Sequence, residues 1–172
     1  LFHRITAGRK NIYDGLLNYH EAEERIQNVY NPYHAHLQKL IDRTAKKFGF
    51  CLVLDCHSMP SKICNIMQDN RQIEFCLGTL FEQSCPSEMY EFFMQHLKQK
   101  YNVSLDCPYS GAHISFNYCQ PRKNIYTLQM EINRSLYEDE AVYKKSQNFQ
   151  YVSSDICAAI IDLANFLLDF KK

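Results

Sequence analysis

The chain has 172 residues, 46% of them hydrophobic and 22% charged, an ordinary globular composition that suffices for one sizeable core. Nineteen basic residues balance nineteen acidic ones, and no basic tract or aromatic-interleaved stripe points to nucleic acid. No apolar run reads as long and unbroken enough to span a bilayer. The eight cysteines are scattered without a CxxC pair, so they read as free thiols of a reduced, cytoplasmic chain and not as a disulfide framework or a fourfold-thiolate zinc site.

Residues 1 to 17 read as a loop with turn signals at Gly8 and Gly15. Asn18 is placed to cap a helix, with Glu21 in the capping-box position three residues on. Ile26, Val29, Tyr30, Tyr33, Leu37, Leu40, Ile41 and Phe48 then recur at helical spacing. Pro32 interrupts that pattern and predicts a kink or two helices meeting at Asn31, and Gly49 suits the C-terminal cap.

Phe50 to Leu54 is a short apolar, partly β-branched run and predicts a buried strand of a parallel sheet over 50–56, stopped by Pro60. Residues 57–71 read as a loop. Gln72 to Leu77 predicts a second strand ending at Gly78. A helix beginning near Pro86 follows, with an apolar face of Met89, Phe92, Phe93, His96 and Leu97. Val103 to Cys107 predicts a third strand, followed by the turn Pro108-Tyr-Ser-Gly111. Over 125–133 the alternation is strict: Tyr126, Leu128, Met130 and Ile132 fall on one face, Thr127, Gln129, Glu131 and Asn133 on the other. Ser154 to Phe170 predicts a closing amphipathic helix capped by Ser154 or Ser153. Alternating helices and strands favour one α/β domain over 1–172, three layers α/β/α around a mainly parallel, mixed sheet.

Ligands of open α/β sheets gather beyond the carboxyl ends of strands. Asp55 and His57 share a parity there, so both can face one site. A neutral imidazole is a good metal ligand and a nearby carboxylate can orient it; the alternative is a histidine that only caps the strand end. Glu131 can serve as a proton shuttle or be a solvated edge-strand carboxylate. Arg134 can clamp a substrate carboxylate or pair with Glu138 or Glu140. His34 and His36 fall on different helix faces, which disfavours a joint metal site. Tyr109 and His113 read as site-lining or as loop packing. A cysteine-hydrolase pairing of Cys56 with His34 or His113 ranks below a structural cysteine.

Taken together, several stretches resemble the N-formylglutamate amidohydrolase family. They are Ile12-Tyr-Asp, Glu21-Ala-Glu-Glu-Arg25, Pro32-Tyr-His34, Leu54-Asp-Cys-His-Ser-Met-Pro60, Leu77-Gly78 with Ser84-Cys85, Pro108-Tyr-Ser-Gly111 and Leu128-Gln-Met-Glu-Ile-Asn-Arg134-Ser-Leu-Tyr137. The resemblance implies a fold like that of zinc-dependent exopeptidases and hydrolysis of N-formyl-L-glutamate to glutamate and formate, a step of the histidine-degradation type. It further implies His57 as a ligand to zinc or another divalent metal, Glu131 as general base, and Arg134, Tyr109 and His34 as contacts to a small N-acyl glutamate substrate, with no nucleic acid or membrane partner. Family members carry an upstream Pro-His-Ser-Gly-like segment, so the expectation is an N-terminally incomplete domain. The pattern departs at Thr79, Leu80 and Glu82, and at Ala112, Cys119 and Asn124, where the family prefers glycine. A second reading keeps the fold as a non-catalytic binding domain.

Overall fold

The computed structural model describes residues 2–6, 9–64 and 72–169. The turn expected at Gly8, the later part of the loop expected over 57–71 and the helix end at Phe170 lie outside the described residues. Chain contacts group into two units, Leu1–Thr44 and Ala45–Lys172.

In the first unit, helix α1 (Tyr19–Arg25) opens with the expected capping box: the Glu21 amide donates to Asn18 Oδ1 at 2.9 Å, and Glu21 answers at the Asn18 amide. A π-helical segment, Ile26–Tyr30, joins it to α2 (Asn31–Phe48). The run stays helical through Asn31 and Pro32, and the π-helical widening ends directly before them.

The second unit is built on a four-stranded sheet, β1 (Cys51–Met59), β2 (Phe75–Gly78), β3 (Val103–Leu105) and β4 (Ile125–Asn133), in the order β1-β4-β2-β3. Gly49, at φ 76°, turns the chain out of α2 and into β1. β1 and β4 are parallel, as are β2 and β3, while β2 runs antiparallel to β4. The sheet is thus mixed and mainly parallel. β1 runs three residues past the expected end at Cys56, because its parallel register with β4 continues to Met59 opposite Asn133. β2 and β3 are shorter than their apolar patterns. Helix α3 (Ser61–Cys64) follows Pro60.

One sheet face carries Phe75, Leu77, Leu128 and Met130, all fully or almost fully buried with residues of α4 (Ser87–Lys98) and α6 (Phe149–Asp169) in one core cluster. α4 contributes Met89, Tyr90, Phe93 and Leu97; α6 contributes Ala159, Leu163 and Leu167. Each such large apolar side chain contributes about 1.5–3 kcal/mol by leaving water. Phe92 of α4 stacks on Phe166 of α6 at 4.1 Å. At the turn after α4, Asp155 of α6 accepts from Lys100 Nζ at 2.5 Å and from the Tyr101 hydroxyl at 2.7 Å. These contacts pin α6 in place. It begins a turn earlier than Ser153 or Ser154, since the Val152 amide already reaches the Asn148 carbonyl. By length and composition alone α6 is long and apolar enough to cross a membrane, contrary to the reading of the apolar runs, and Tyr151, Ile161 and Leu168 are exposed along it.

Helix α5 (His113–Tyr118) contacts β4 from the polar face, where Thr127 Oγ1 donates to the Ser115 carbonyl at 3.1 Å. Here the chain after β2 passes close to the loop before α5. A β-carbon on Gly78 would stand 2.6 Å from the Gly111 nitrogen. After Gly78 three successive non-glycine residues, Leu80, Phe81 and Glu82, take positive φ. Thr79 holds this turn by donating its amide and hydroxyl to Asp106 and accepting the Glu82 amide at 2.8 Å. Of the three positions where the resemblance prefers glycine, only Asn124 needs left-handed backbone (φ 56°), which asparagine tolerates. Ala112 and Cys119 sit at negative φ.

Candidate active site

The polar face of β4 is buried, and β4 lies inside the sheet and not at its edge. Thr127 and Asn133 are 0% exposed, Gln129 2% and Glu131 6%. A carboxylate in that position is costly unless neighbours receive it. The alternative of a solvated edge-strand glutamate therefore falls.

Register supplies the neighbours. His57 lies opposite Glu131 and Asp55 opposite Gln129 on the β1 side, with Cys76 opposite Glu131 on the β2 side. Residues paired in register point to the same face, so Asp55, His57, Gln129, Glu131 and Cys76 share one surface. The Gln129 amide nitrogen donates to Glu131 Oε1 at 2.8 Å. His57 Nε2 stands 3.0 Å from Asp55 Oδ2, with their side chains 45% and 15% exposed. That contact is close but poorly aligned, and Asp55 Oδ2 remains a buried oxygen without a hydrogen bond, as does Gln129 Oε1.

Burial pushes the Glu131 carboxyl above its ordinary range. His57, the Gln129 hydrogen bond and Arg134 pull it back down, while Asp55 adds to the rise. This is the environment of a proton carrier: desolvated, yet surrounded by groups that stabilise either charge state. Arg134 follows β4 in a short 3₁₀ turn, Arg134–Leu136, that Asn133 caps through the Ser135 amide at 3.0 Å. Its Nε stands 3.9 Å from Glu140 Oε1, so of the two expected partners Glu140 is the one it faces.

The sheet therefore brings together His57 and Glu131, with Asp55 beside His57 and Arg134 within electrostatic reach of Glu131. Tyr109 packs against Met59, Ile73 and Cys76, and its carbonyl accepts the Cys76 thiol at 3.1 Å. This places Tyr109 beside the strand residue opposite Glu131. His113 is exposed at the start of α5, its ring against Asn117. Cys56 alternates to the face opposite His57, and desolvation with Asp55 nearby pushes its thiol up, the reverse of what a nucleophilic thiolate needs. His34 belongs to the Leu1–Thr44 unit, where its ring lies 4.1 Å from that of Tyr30 and 5.0 Å from that of Tyr33.

Sequence reasoning missed two residues. Gln129 stood in the polar alternation, but only its burial shows that it serves Glu131. Glu140 appeared only as a surface partner for Arg134, although both its oxygens also accept the Ser61 amide, at 3.3 and 3.2 Å.

Among the described residues no group of three or more His, Cys, Asp or Glu side chains is arranged to hold a metal ion. A catalytic zinc takes three protein ligands. His57 alone, even with Asp55 behind it, does not fit a complete site.

A model of the N-formylglutamate amidohydrolase family matches residues 1–138. The N-formylglutamate deformylase of Pseudomonas putida is 31% identical over 122 residues, covering 70% of this chain and 45% of that protein. The protein of the same name from Pseudomonas aeruginosa is 30% identical over 139 residues, covering 75% and 52%. The chain spans about half the length of the curated relatives it matches. A crystal structure of N-formylglutamate amidohydrolase from Ralstonia eutropha aligns with a TM-score of 0.85 at 28% identity, over 91% of this chain and 57% of that one. A gene product of Agrobacterium tumefaciens shares the fold at a TM-score of 0.59 and 13% identity, over 91% of this chain and 57% of that one.

Proposed function

The chain belongs to the N-formylglutamate amidohydrolase family, and from that premise we propose that it hydrolyses N-formyl-L-glutamate to L-glutamate and formate. The observation that carries this reading is the buried Glu131 on an interior strand, in register with His57 and within electrostatic reach of Arg134.

Hydrolysis of a linear amide needs a base for water and an acid for the leaving amine. Ionised Glu131 accepts a proton from the attacking water as oxygen bonds to the formyl carbon. It returns that proton to the nitrogen as the carbon–nitrogen bond breaks, leaving formate and the free amine of glutamate. The Gln129 amide fixes the rotamer of Glu131 and steadies its charged form. Arg134 holds a substrate carboxylate, and Tyr109 flanks the same face. Zinc, the cofactor the family resemblance implies, would supply Lewis acidity. It would need two protein ligands besides His57, so the proton chemistry rests on Glu131 and its neighbours. A product glutamate suits the histidine-degradation role, and free cysteines among the described residues suit a reducing, cytoplasmic setting.

The short set of metal donors favours a second reading, an N-acyl glutamate binder without hydrolysis. Formate release from N-formyl-L-glutamate, measured with and without added zinc, separates the two. Release that Glu131→Gln lowers by about 10²- to 10⁴-fold supports hydrolysis. Saturable binding with no formate supports the second reading.

A further inference from the structure

Arg134 is placed oddly for a residue with an acidic neighbour. An arginine and a carboxylate that simply pair do so through two parallel hydrogen bonds at about 2.7–2.9 Å. Here the nearest approach is 3.9 Å, too long for a hydrogen bond, with side chains only 28% and 26% exposed. Arg134 Nε is buried and has no hydrogen-bond partner among the described residues. Leaving a charged donor unpaired out of water is costly, so something must hold Glu140 away from it.

That restraint is visible. Both carboxylate oxygens of Glu140 accept the backbone amide of Ser61, Oε1 at 3.3 Å and Oε2 at 3.2 Å. Ser61 opens helix α3 directly after Pro60, at the end of the strand that carries His57. We infer that the Ser61 amide holds Glu140 back from Arg134 and so keeps the guanidinium donors open for a substrate carboxylate. Glu140 then acts at a distance. It offsets the charge of Arg134 while leaving its donors unspent, and a carboxylate arriving with the substrate completes the pair. Glu140 is thus a built-in competitor, kept off by one backbone amide.

The inference rests on the functional reading above, in which Arg134 receives an N-acyl glutamate. The test titrates N-formyl-L-glutamate into the full chain by calorimetry and follows formate release in parallel. Ser61→Pro removes the amide hydrogen at a helix position that tolerates proline. Ser61→Ala keeps the amide and is the control. Freed from Ser61, Glu140 closes on Arg134, so Ser61→Pro raises Kd and KM about tenfold while kcat moves little. The double variant Ser61→Pro/Glu140→Gln returns to within about twofold of Glu140→Gln alone, since the competitor is gone. A merely structural role for Ser61 would show no such rescue. Should Ser61→Pro fail to fold, as read by circular dichroism, Glu140→Gln decides. It binds substrate as tightly as the unsubstituted chain or up to about threefold more tightly, because an anion beside Arg134 is removed. Weaker binding in Glu140→Gln overturns the inference. So does Ser61→Pro behaving as Ser61→Ala, or a loss that Glu140→Gln does not rescue. An unsubstituted chain that neither binds nor cleaves N-formyl-L-glutamate overturns the functional reading itself and takes this inference with it.

Discussion

Gly78→Ala isolates the close passage that shapes the polar face of the sheet. The added methyl carbon would meet the Gly111 nitrogen at 2.6 Å, the Ser110 carbonyl carbon at 2.7 Å and the Ser110 oxygen at 3.1 Å. Comfortable contact for such atoms begins near 3.5 Å, so β2 and the loop before α5 must part by about 1 Å. No flexible side chain can yield, because all three are backbone atoms. The neighbouring loop is also tied down: the Leu80 amide donates to the Ser110 carbonyl at 2.6 Å, and the Cys76 thiol donates to the Tyr109 carbonyl at 3.1 Å. Forcing extra volume into such a site costs about 1–3 kcal/mol. For a chain of this size that lowers Tm by about 2–12 °C. Gly15→Ala is the internal control, since nothing lies within 4 Å of its added methyl. It should change stability by less than about 0.5 kcal/mol. Thermal unfolding of both variants beside the parent chain decides. Equal Tm values for the two variants would refute the claim that this passage is closed to a side chain.

Three further outcomes follow from the charges. Burial raises the Glu131 pKa, so its contribution to stability is present below the unfolded value near about 4.3 and is lost as pH rises through the folded value. Glu131→Gln therefore raises Tm at pH 7 to 8, and the gain fades toward pH 4; a variant less stable at every pH contradicts this. Asp155 moves the other way: hydrogen bonds from Lys100 and then Tyr101 hold its carboxyl below the ordinary range. Its stabilisation is present at neutral pH and lost as pH falls through the lowered value, so Asp155→Ala costs about 1 kcal/mol at pH 7 and progressively less in acid, read by urea unfolding. Arg134→Lys keeps the charge but loses the planar fork, and steady-state kinetics should show KM for N-formyl-L-glutamate raised about tenfold with little change in kcat.

The sequence showed most clearly what repeats locally. Strict alternation over 125–133 placed Glu131 on the polar side and Leu128 and Met130 on the apolar side, and the structure keeps both. The Asn18–Glu21 box and the break at Pro32 were equally legible, because caps and proline act within a few residues. What escaped depends on pairing across long separations. Nothing within β4 says that β1 and β2 flank it, or that the face carrying Glu131 is buried. The antiparallel β2 inside a mainly parallel sheet was hidden for the same reason. Asp55-Cys-His-Ser has poor strand propensity, so β1 appeared to stop at Cys56, while pairing with β4 carries it to Met59. Glu140 reaches a residue 79 positions away, beyond any local pattern. The resemblance pointed to His57, Glu131 and Arg134; the strand register pairs the first two, and Arg134 follows in the turn after β4, within electrostatic reach of Glu131. On the described residues it did not supply a complete metal site.

The most direct test of the account is formate release from N-formyl-L-glutamate by the purified chain, run beside Glu131→Gln at matched folded concentration. The account predicts measurable turnover in the parent and a loss of at least about 10²-fold in the variant, with circular dichroism spectra that superimpose. Turnover that survives in Glu131→Gln would contradict it, because the buried carboxylate paired in register with His57 would then not be the group that moves the proton.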